Sequence, residues 1–417
     1  VLLRALHEPG PPASLEALDA ENYRLGEALG AMGSVVAAMI DAAEGDGLAE
    51  DKERRVTLLV KAARYQLDHN MAHEAVDTLG KALTISEHDA VALELLDQAL
   101  LRLNLFEELK AVLERRIEVA DDAEAKIVLL RRLARLLEDT LMLPDAAEQA
   151  WRRLTDIEPS DMEALRRLRQ LYQTSGATSE LVEVLERLID ATTDAKERRQ
   201  MRMDLATIHR ELQNNRSAEI DVLRALLIDD PSDDDAMAAL SRALIAEERF
   251  GEAAEVVLDR AGQTTAPARK AGLLLDVARL YAGPIGDPLG SLAHYESVLA
   301  IAPTNDGALA DLVGLATSAD YCEAASSLIL PHLERIARWS NLAGGLEARA
   351  RYLQDDVLVV EALRQLVKVR YERLNDPKGS LEAAYRLLDR SPADELRPVL
   401  EVTARLSVHL DRAEEHV

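Results

Sequence analysis

Only a few residues of this chain have the types and spacing that catalysis or metal binding would need. His69 and His73 are four residues apart, as two metal ligands on one helical face would be. Asn70-Met71 between them is a predicted turn, however, so the two imidazoles would not share a face. Cys322 is the only cysteine, and it begins a predicted helix, where its pKa could be lowered. No histidine lies near it in the sequence, and we interpret it as a small core residue.

Other motifs of enzymes are absent from the sequence. Gly283-Pro284-Ile285-Gly286 lacks the lysine and the spacing of a phosphate-binding loop, and no His-Glu-x-x-His motif occurs. We interpret Asp233-Asp234-Asp235 as a helix N-terminus, where carboxylates complement the helix dipole. The sequence therefore predicts a protein that is not an enzyme, with no catalytic residues, no metal site and no cofactor.

Similar segments recur every 72 residues along the chain. The copies begin at Ile85, Ile157, Asp229 and Ile301 and read ISEHDAVAL, IEPSDMEAL, DDPSDDDAM and IAPTNDGAL. Lys52-Glu53-Arg54-Arg55 recurs two periods later, from residue 196. Recurrence at a fixed spacing indicates a repeat array, in which each unit packs against its neighbours in the chain.

Each copy of this segment is a predicted turn between two helices. Proline at 159, 231 and 303 cannot continue a helix. Ser160 with Glu163 predicts a capping box at the start of the next helix, and Ser232 with Asp235 has the same spacing. Between the turns, apolar residues recur three and four apart, which predicts helices and no strands. The predicted helices lie near 51–69, 71–86, 89–103, 106–120, 123–141, 144–157, 160–174, 178–192, 194–212, 216–229, 233–247, 250–262, 267–282, 288–301, 305–318 and 321–337.

Several hairpins carry a pattern that resembles the tetratricopeptide (TPR) repeat. In that family the first helix has large, large, small and large residues, and the second has small, aromatic and small residues before a closing proline. One copy here has Leu274, Val277, Ala278 and Tyr281, followed by Ser291, Tyr295, Val298 and Pro303. Another has Leu130, Leu133, Ala134 and Leu137, followed by Ala147, Trp151, Leu154 and Pro159. The chain is similar to degenerate TPR arrays of long bacterial proteins, which implies an all-α, right-handed α-solenoid of antiparallel helix hairpins.

The resemblance also implies where a partner would bind. In TPR arrays the first helix of each hairpin lines the concave surface, and one lining position directly follows the small residue. In this chain that position holds Arg64, Gln98, Arg135, Gln170, Thr207, Arg242, Arg279 and Gly314. The arginines could bind carboxylates along an extended peptide through paired hydrogen bonds. The lysine and asparagine pattern of the family's carboxylate-clamp members is absent, and the alternative is that these arginines pair with acidic residues of adjacent helices.

The period is interrupted once. DPLGSL at 287–292 recurs as DPKGSL at 376–381, which is 89 residues later and therefore 17 more than the period. We assign the extra residues to 338–356. One interpretation is an added helix that turns the array. The other is a contact site formed by Trp339, Arg349, Arg351 and Tyr352.

The composition restricts the class of partner. A formal net charge of −26 disfavours nucleic acids and anionic membrane surfaces, and favours proteins with basic faces outside the predicted groove. The apolar runs are far shorter than the about 20 residues that span a bilayer, so we expect no membrane insertion. No disulfide within the chain is possible. We favour a cytoplasmic location, with a periplasmic or envelope-associated one as the alternative, because a signal or anchor could lie outside this sequence.

The predicted organisation is a linker at 1–13, TPR-like repeats at 14–337, the insertion at 338–356 and further repeats at 357–417, with the array continuing beyond. The predicted function is a non-enzymatic scaffold that binds partner proteins or peptides through the concave surface. The alternatives are an accessory or regulatory module of a larger enzyme or signalling protein, and a structural subunit of a multiprotein assembly that could self-assemble. A large exposed apolar patch would favour the structural subunit.

Overall fold

The computed structural model describes residue 6, residues 12–391 and residues 396–409. Most of the predicted linker 1–13 lies outside the described residues, as do 392–395 and 410–417 of the predicted C-terminal repeats. Within these ranges every regular element is a helix. This confirms the prediction of an all-α chain.

The 16 helices predicted between 51 and 337 begin and end within a few residues of the predicted positions. The described residues form 22 helices in all. They are α1 (Pro12–Ala28), α2 (Met32–Glu44), α3 (Lys52–Asp68), α4 (Ala72–Ile85), α5 (Ala90–Leu103), α6 (Phe106–Val119), α7 (Ala123–Arg135), α8 (Pro144–Ile157), α9 (Met162–Ser175), α10 (Thr178–Ala191), α11 (Ala195–Glu211), α12 (Arg216–Asp229), α13 (Asp234–Ala246), α14 (Phe250–Gln263), α15 (Pro267–Ala282), α16 (Pro288–Ile301), α17 (Asp306–Ala316), α18 (Cys322–Arg335), α19 (Trp339–Tyr352), α20 (Asp356–Glu372), α21 (Pro377–Arg390) and α22 (Leu396–His409). A 3₁₀ turn (Asp46–Leu48) precedes α3, and a π-helical turn (Leu136–Thr140) extends α7.

The chain divides into two units, residues 1–201 and 202–417, with the division inside α11. In the first unit α3 packs on α4, α4 on α5, and α7 on α8. In the second unit α15 packs on α16 and α20 on α21. Each helix thus contacts mainly its neighbours in the chain, as the helix pairs of a repeat array do. The predicted array of antiparallel helix hairpins is confirmed in each unit.

The core of each hairpin uses the residues that carry the TPR resemblance. Ala134 and Ala278 are fully buried, and their small side chains let the paired helices approach closely. Trp151 and Tyr295 are the largest fully buried side chains on the second helices. The Trp151 indole donates a hydrogen bond to Glu138 Oε2 over 3.0 Å, which satisfies its only polar atom.

Two kinds of turn alternate along most of the array. The turn inside a hairpin contains one residue with a left-handed backbone, such as Asn70, Asn104 or Gly176. The turn between hairpins is extended, and the next helix begins after an aspartate or asparagine. Three helices, α17 to α19, occupy the chain between α16 and α20, where the period predicts two. The alternation of turns is interrupted there, and residues 339–352 are helical.

The helix caps differ from the predicted capping boxes. Asp161 caps α9, because its Oδ1 accepts a hydrogen bond from the Ala164 amide over 2.8 Å. The Ser160 hydroxyl instead donates to Glu158 Oε1 over 2.6 Å. In the same way Asp233 caps α13. The prediction that Ser160 and Ser232 are the caps was wrong by one residue, because the extended turn places the following aspartate at the helix start.

Candidate functional site

The predicted partner-binding residues lie on the first helices of successive hairpins. In the first unit these are Arg64 on α3, Gln98 on α5, Arg135 on α7 and Gln170 on α9. In the second unit they include Arg242 on α13 and Arg279 on α15. All six side chains are exposed. The residue before each of the four arginines is a buried small residue: Ala63, Ala134, Ser241 and Ala278.

On α5 the small residue is replaced by a buried acid that the sequence analysis did not single out. Asp97 is 1% exposed. Arg132 of α7 donates two hydrogen bonds to its carboxylate, over 2.6 and 2.5 Å, and Arg116 of α6 also pairs with it. Asp97 therefore links three consecutive helices below the exposed Gln98.

The four arginines differ in their contacts. Arg135 donates to Glu163 Oε1 of α9 over 2.7 Å, and Arg279 donates to Asp311 Oδ2 of α17 over 2.7 Å. Both pairs link neighbouring first helices. Arg242 Nε donates to the Ala238 carbonyl of its own helix over 3.1 Å. Neither Arg64 nor Arg242 has an ion pair with another described residue, so their guanidinium groups retain donors for a partner.

Arg242 and Arg279 line one open groove, which we call the α13–α15 groove. Its volume is about 470 Å³, and its walls also include Ile245, Leu280 and Pro284. Ile245 is 40% exposed, although it is a large apolar residue. Guanidinium groups beside an exposed apolar surface can bind a segment that carries both a carboxylate and an apolar side chain.

The electrostatics of the α13–α15 groove favour an anion. Three arginines line it, and the only carboxylate among the lining residues is that of Asp276. Burial raises the pKa of Asp276, against the opposing effect of Arg279 and Arg260. Arg260 is already held by Asp234 of α13 through two hydrogen bonds of 2.8 and 3.0 Å. Arg279 is paired with Asp311, which leaves Arg242 as the groove arginine without an ion pair to a described carboxylate.

The exposed face of the first unit combines polar and apolar residues. Val91 and Val128 are 43% and 56% exposed. They lie seven residues before Gln98 and Arg135, which is two helical turns along the same face. These valines are part of the candidate surface and were not predicted, because an apolar residue on a helix is ordinarily assigned to the core.

The predicted contact residues of the insertion lie at two ends of α19. Trp339 is its first residue, is half-buried, and has the Arg373 guanidinium 4.8 Å from its ring centroid. Arg349, Arg351 and Tyr352 lie in the last turn. Ten residues of helix separate Trp339 from Arg349, which is about 15 Å. The structure therefore does not bring the four residues into one cluster.

The groups considered for chemistry occupy structural positions. Cys322 is fully buried, and burial raises the pKa of its thiol. His69 stacks on Tyr65, with 3.9 Å between the ring centroids. In the described ranges, no group of three or more His, Cys, Asp or Glu residues is arranged to hold a metal ion. Of the helices described, none is long and apolar enough to cross a membrane.

Comparison with known proteins finds several similar solved structures. A structure of Naa15/Naa10 bound to HypK-THB is 15% identical with a TM-score of 0.34, and the match covers 95% of this chain and 62% of that one. This chain therefore spans less than two thirds of that protein chain. The crystal structure of the MamA protein is 15% identical with a TM-score of 0.27, covering 42% of this chain and 91% of that one. YrrB, described as a TPR protein with an unusual peptide-binding site, is 17% identical with a TM-score of 0.28, covering 47% of this chain and 98% of that one.

These TM-scores are too low for the similarity to carry a function from those proteins to this one. No protein-family model matches the chain, and no curated protein matches it.

Proposed function

We propose that this chain is a non-enzymatic scaffold that binds a segment of a partner protein on the exposed faces of its first helices. The observation that carries the proposal is that two arginines assigned to a partner-binding surface line one groove together with exposed apolar residues. Arg242 supplies hydrogen-bond donors, and Ile245 and Pro284 supply apolar surface beside it. The favoured ligand is an extended peptide with an acidic residue next to a large apolar one.

Charge supports this choice of ligand. The whole chain has a formal net charge of −26, so most of its surface repels acidic partners and attracts basic ones. The α13–α15 groove is lined by three arginines and one carboxylate. An acidic segment would therefore be directed to this groove, and binding elsewhere on the molecule would be suppressed.

In the first unit we propose a second partner surface, on the exposed faces of α3, α5, α7 and α9. Arg64 and the amides of Gln98 and Gln170 would supply its hydrogen bonds, and Val128 its apolar contact. Arg135 would contribute by exchanging its ion pair with Glu163 for one with the partner. The Arg135–Glu163 pair is exposed and therefore adds little to stability.

We further propose that α19 contributes two separate contact points rather than one site. Trp339 would be the first, and Arg349, Arg351 and Tyr352 in the last helical turn would be the second. A half-exposed tryptophan next to an arginine is typical of residues that dominate binding energy at interfaces.

The α13–α15 groove can be tested by selecting peptides from a random display library on the purified full chain. The wild-type protein should enrich peptides that carry Asp or Glu beside Leu, Ile or Phe. Arg242→Glu should weaken the affinity for a selected peptide about tenfold, because it replaces a hydrogen-bond donor by a carboxylate that repels the acidic residue of the peptide. The matched control is Lys378→Glu, which makes the same charge change at an exposed lysine outside the groove.

Equal affinities in the wild type and Arg242→Glu would reject the groove as the binding site. Enrichment of basic peptides without acidic residues would reject the proposed ligand class. Raised salt should weaken the interaction, because the groove is open and its charges are screened.

A further inference from the structure

The second unit contains a larger cavity, separate from the α13–α15 groove. It has a volume of about 730 Å³ and lies between α20, α21 and α22. This volume is within the range of about 300–1,000 Å³ that is usual for sites of small ligands. Residues of these three helices line the cavity, which is open to solvent.

The walls of this cavity are apolar at depth. Val367 on α20, Leu387 on α21 and Val399 and Leu406 on α22 line it, and each of these side chains is buried. On α20 the lining residues recur at intervals of three and four from Arg364 to Glu372, so that one face of two helical turns forms a wall about 12 Å long. A slot of this kind suits an unbranched apolar chain.

The rim of the cavity is cationic. Lys368 on α20 and Arg405 on α22 are exposed and line the cavity from two different helices. The lining residues include three cations and a single carboxylate, that of Glu372. In a chain with a net charge of −26, this is a local reversal of charge, and it favours a ligand with an anionic end.

We propose that this cavity binds one alkyl-chain carboxylate, with the hydrocarbon chain among the buried valines and leucines and the carboxylate at the rim. Lys368 and Arg405 hold the carboxylate by charge-assisted hydrogen bonds. An acidic amphipathic helix of a partner protein has the same polarity, but it needs a long shallow groove. The wall on α20 spans only two helical turns, about 12 Å, which is short for a partner helix and suits a single chain better.

Binding of laurate to the full chain, measured by isothermal titration calorimetry below the critical micelle concentration, tests this proposal. We expect a stoichiometry of one and an affinity that rises from octanoate to decanoate to laurate by about threefold to fourfold per methylene. Lys368→Ala should weaken the affinity for laurate by about fivefold. The affinity for dodecanol should be unchanged, since only the carboxylate needs the cation. Lys378→Ala is the matched control at an exposed lysine that does not line the cavity.

A second variant fills the cavity without changing its charge. Val402 lines the cavity and is 41% exposed, so Val402→Trp places a large ring in the opening without needing space in the core. It should abolish laurate binding while the circular dichroism spectrum stays that of the wild type. Laurate binding that survives Val402→Trp would overturn the proposal. An affinity that depends neither on the chain length of the ligand nor on Lys368→Ala would also overturn it. Binding of an acidic amphipathic helical peptide in place of laurate would also overturn it.

Discussion

We expect that the substitution Asp97→Ala will loosen the first unit around α5, α6 and α7. The Asp97 carboxylate is 1% exposed and accepts hydrogen bonds from Arg132 and Arg116 on two different helices. Alanine removes the only described acid that these two guanidinium groups share. The cations are then left beside an apolar surface without a counter-ion.

The expected cost follows from how far the two arginines can reach water. Removing one partner of a fully buried ion pair costs about 3–5 kcal/mol. Here the side chains of Arg116 and Arg132 are 21% and 38% exposed, so hydration replaces part of the lost interaction. We therefore expect a cost at the lower end, about 3 kcal/mol.

The assay should report on these helices alone. Repeat arrays can unfold in parts, so the midpoint of one unfolding curve would average over the whole chain. Native-state hydrogen exchange resolves the opening of individual helices. A loss of about 3 kcal/mol corresponds to a roughly 100-fold faster exchange of the protected amides of α5 and α7. Glu94→Ala is the matched control, since Glu94 is an exposed acid on the same helix. If both variants exchange alike, the buried carboxylate does not link the three helices as argued.

Three further predictions concern packing, capping and titration. Gly345→Ala should lower the free energy of unfolding by up to about 2 kcal/mol, because a Cβ there would lie 2.5 Å from Leu330 Cδ2 and the overpacking cost of about 1–3 kcal/mol is offset by about 1 kcal/mol of helix propensity. A raised thermal midpoint would contradict the close contact of α18 and α19. Asp161→Ala should cost at least about 1 kcal/mol and Ser160→Ala close to none, since only the aspartate caps α9 and it also pairs with Arg131. Chemical denaturation of the two variants compares these costs. Hydrogen bonds from two arginines lower the pKa of Asp234 from 3.8 to about 2. Its stabilisation is therefore complete above pH 3.8 and lost as the pH falls through 2, and it is small because the side chain is 38% exposed. A carboxyl resonance of Asp234 that titrates near pH 4 by NMR would contradict this.

The helices and their order were determined by the sequence itself. Helix α15 was predicted at 267–282 and spans Pro267–Ala282, because proline and glycine stop signals and the three-to-four spacing of apolar residues act within one or two helical turns. The small and aromatic residues that are buried in the TPR-like hairpins could be predicted for the same reason. A local pattern sufficed because each helix packs against its neighbours in the chain.

The partners of the charged residues were decided only by the tertiary structure. Arg135 and Arg242 occupy equivalent positions in the sequence, yet Arg135 pairs with Glu163 and Arg242 lies against its own helix. The buried Asp97 and the exposed Ile245 also departed from what their residue types suggest. Charge pairing and groove formation depend on side chains about 20 to 40 residues apart that meet through helix packing, and local periodicity contains no information about which of them meet.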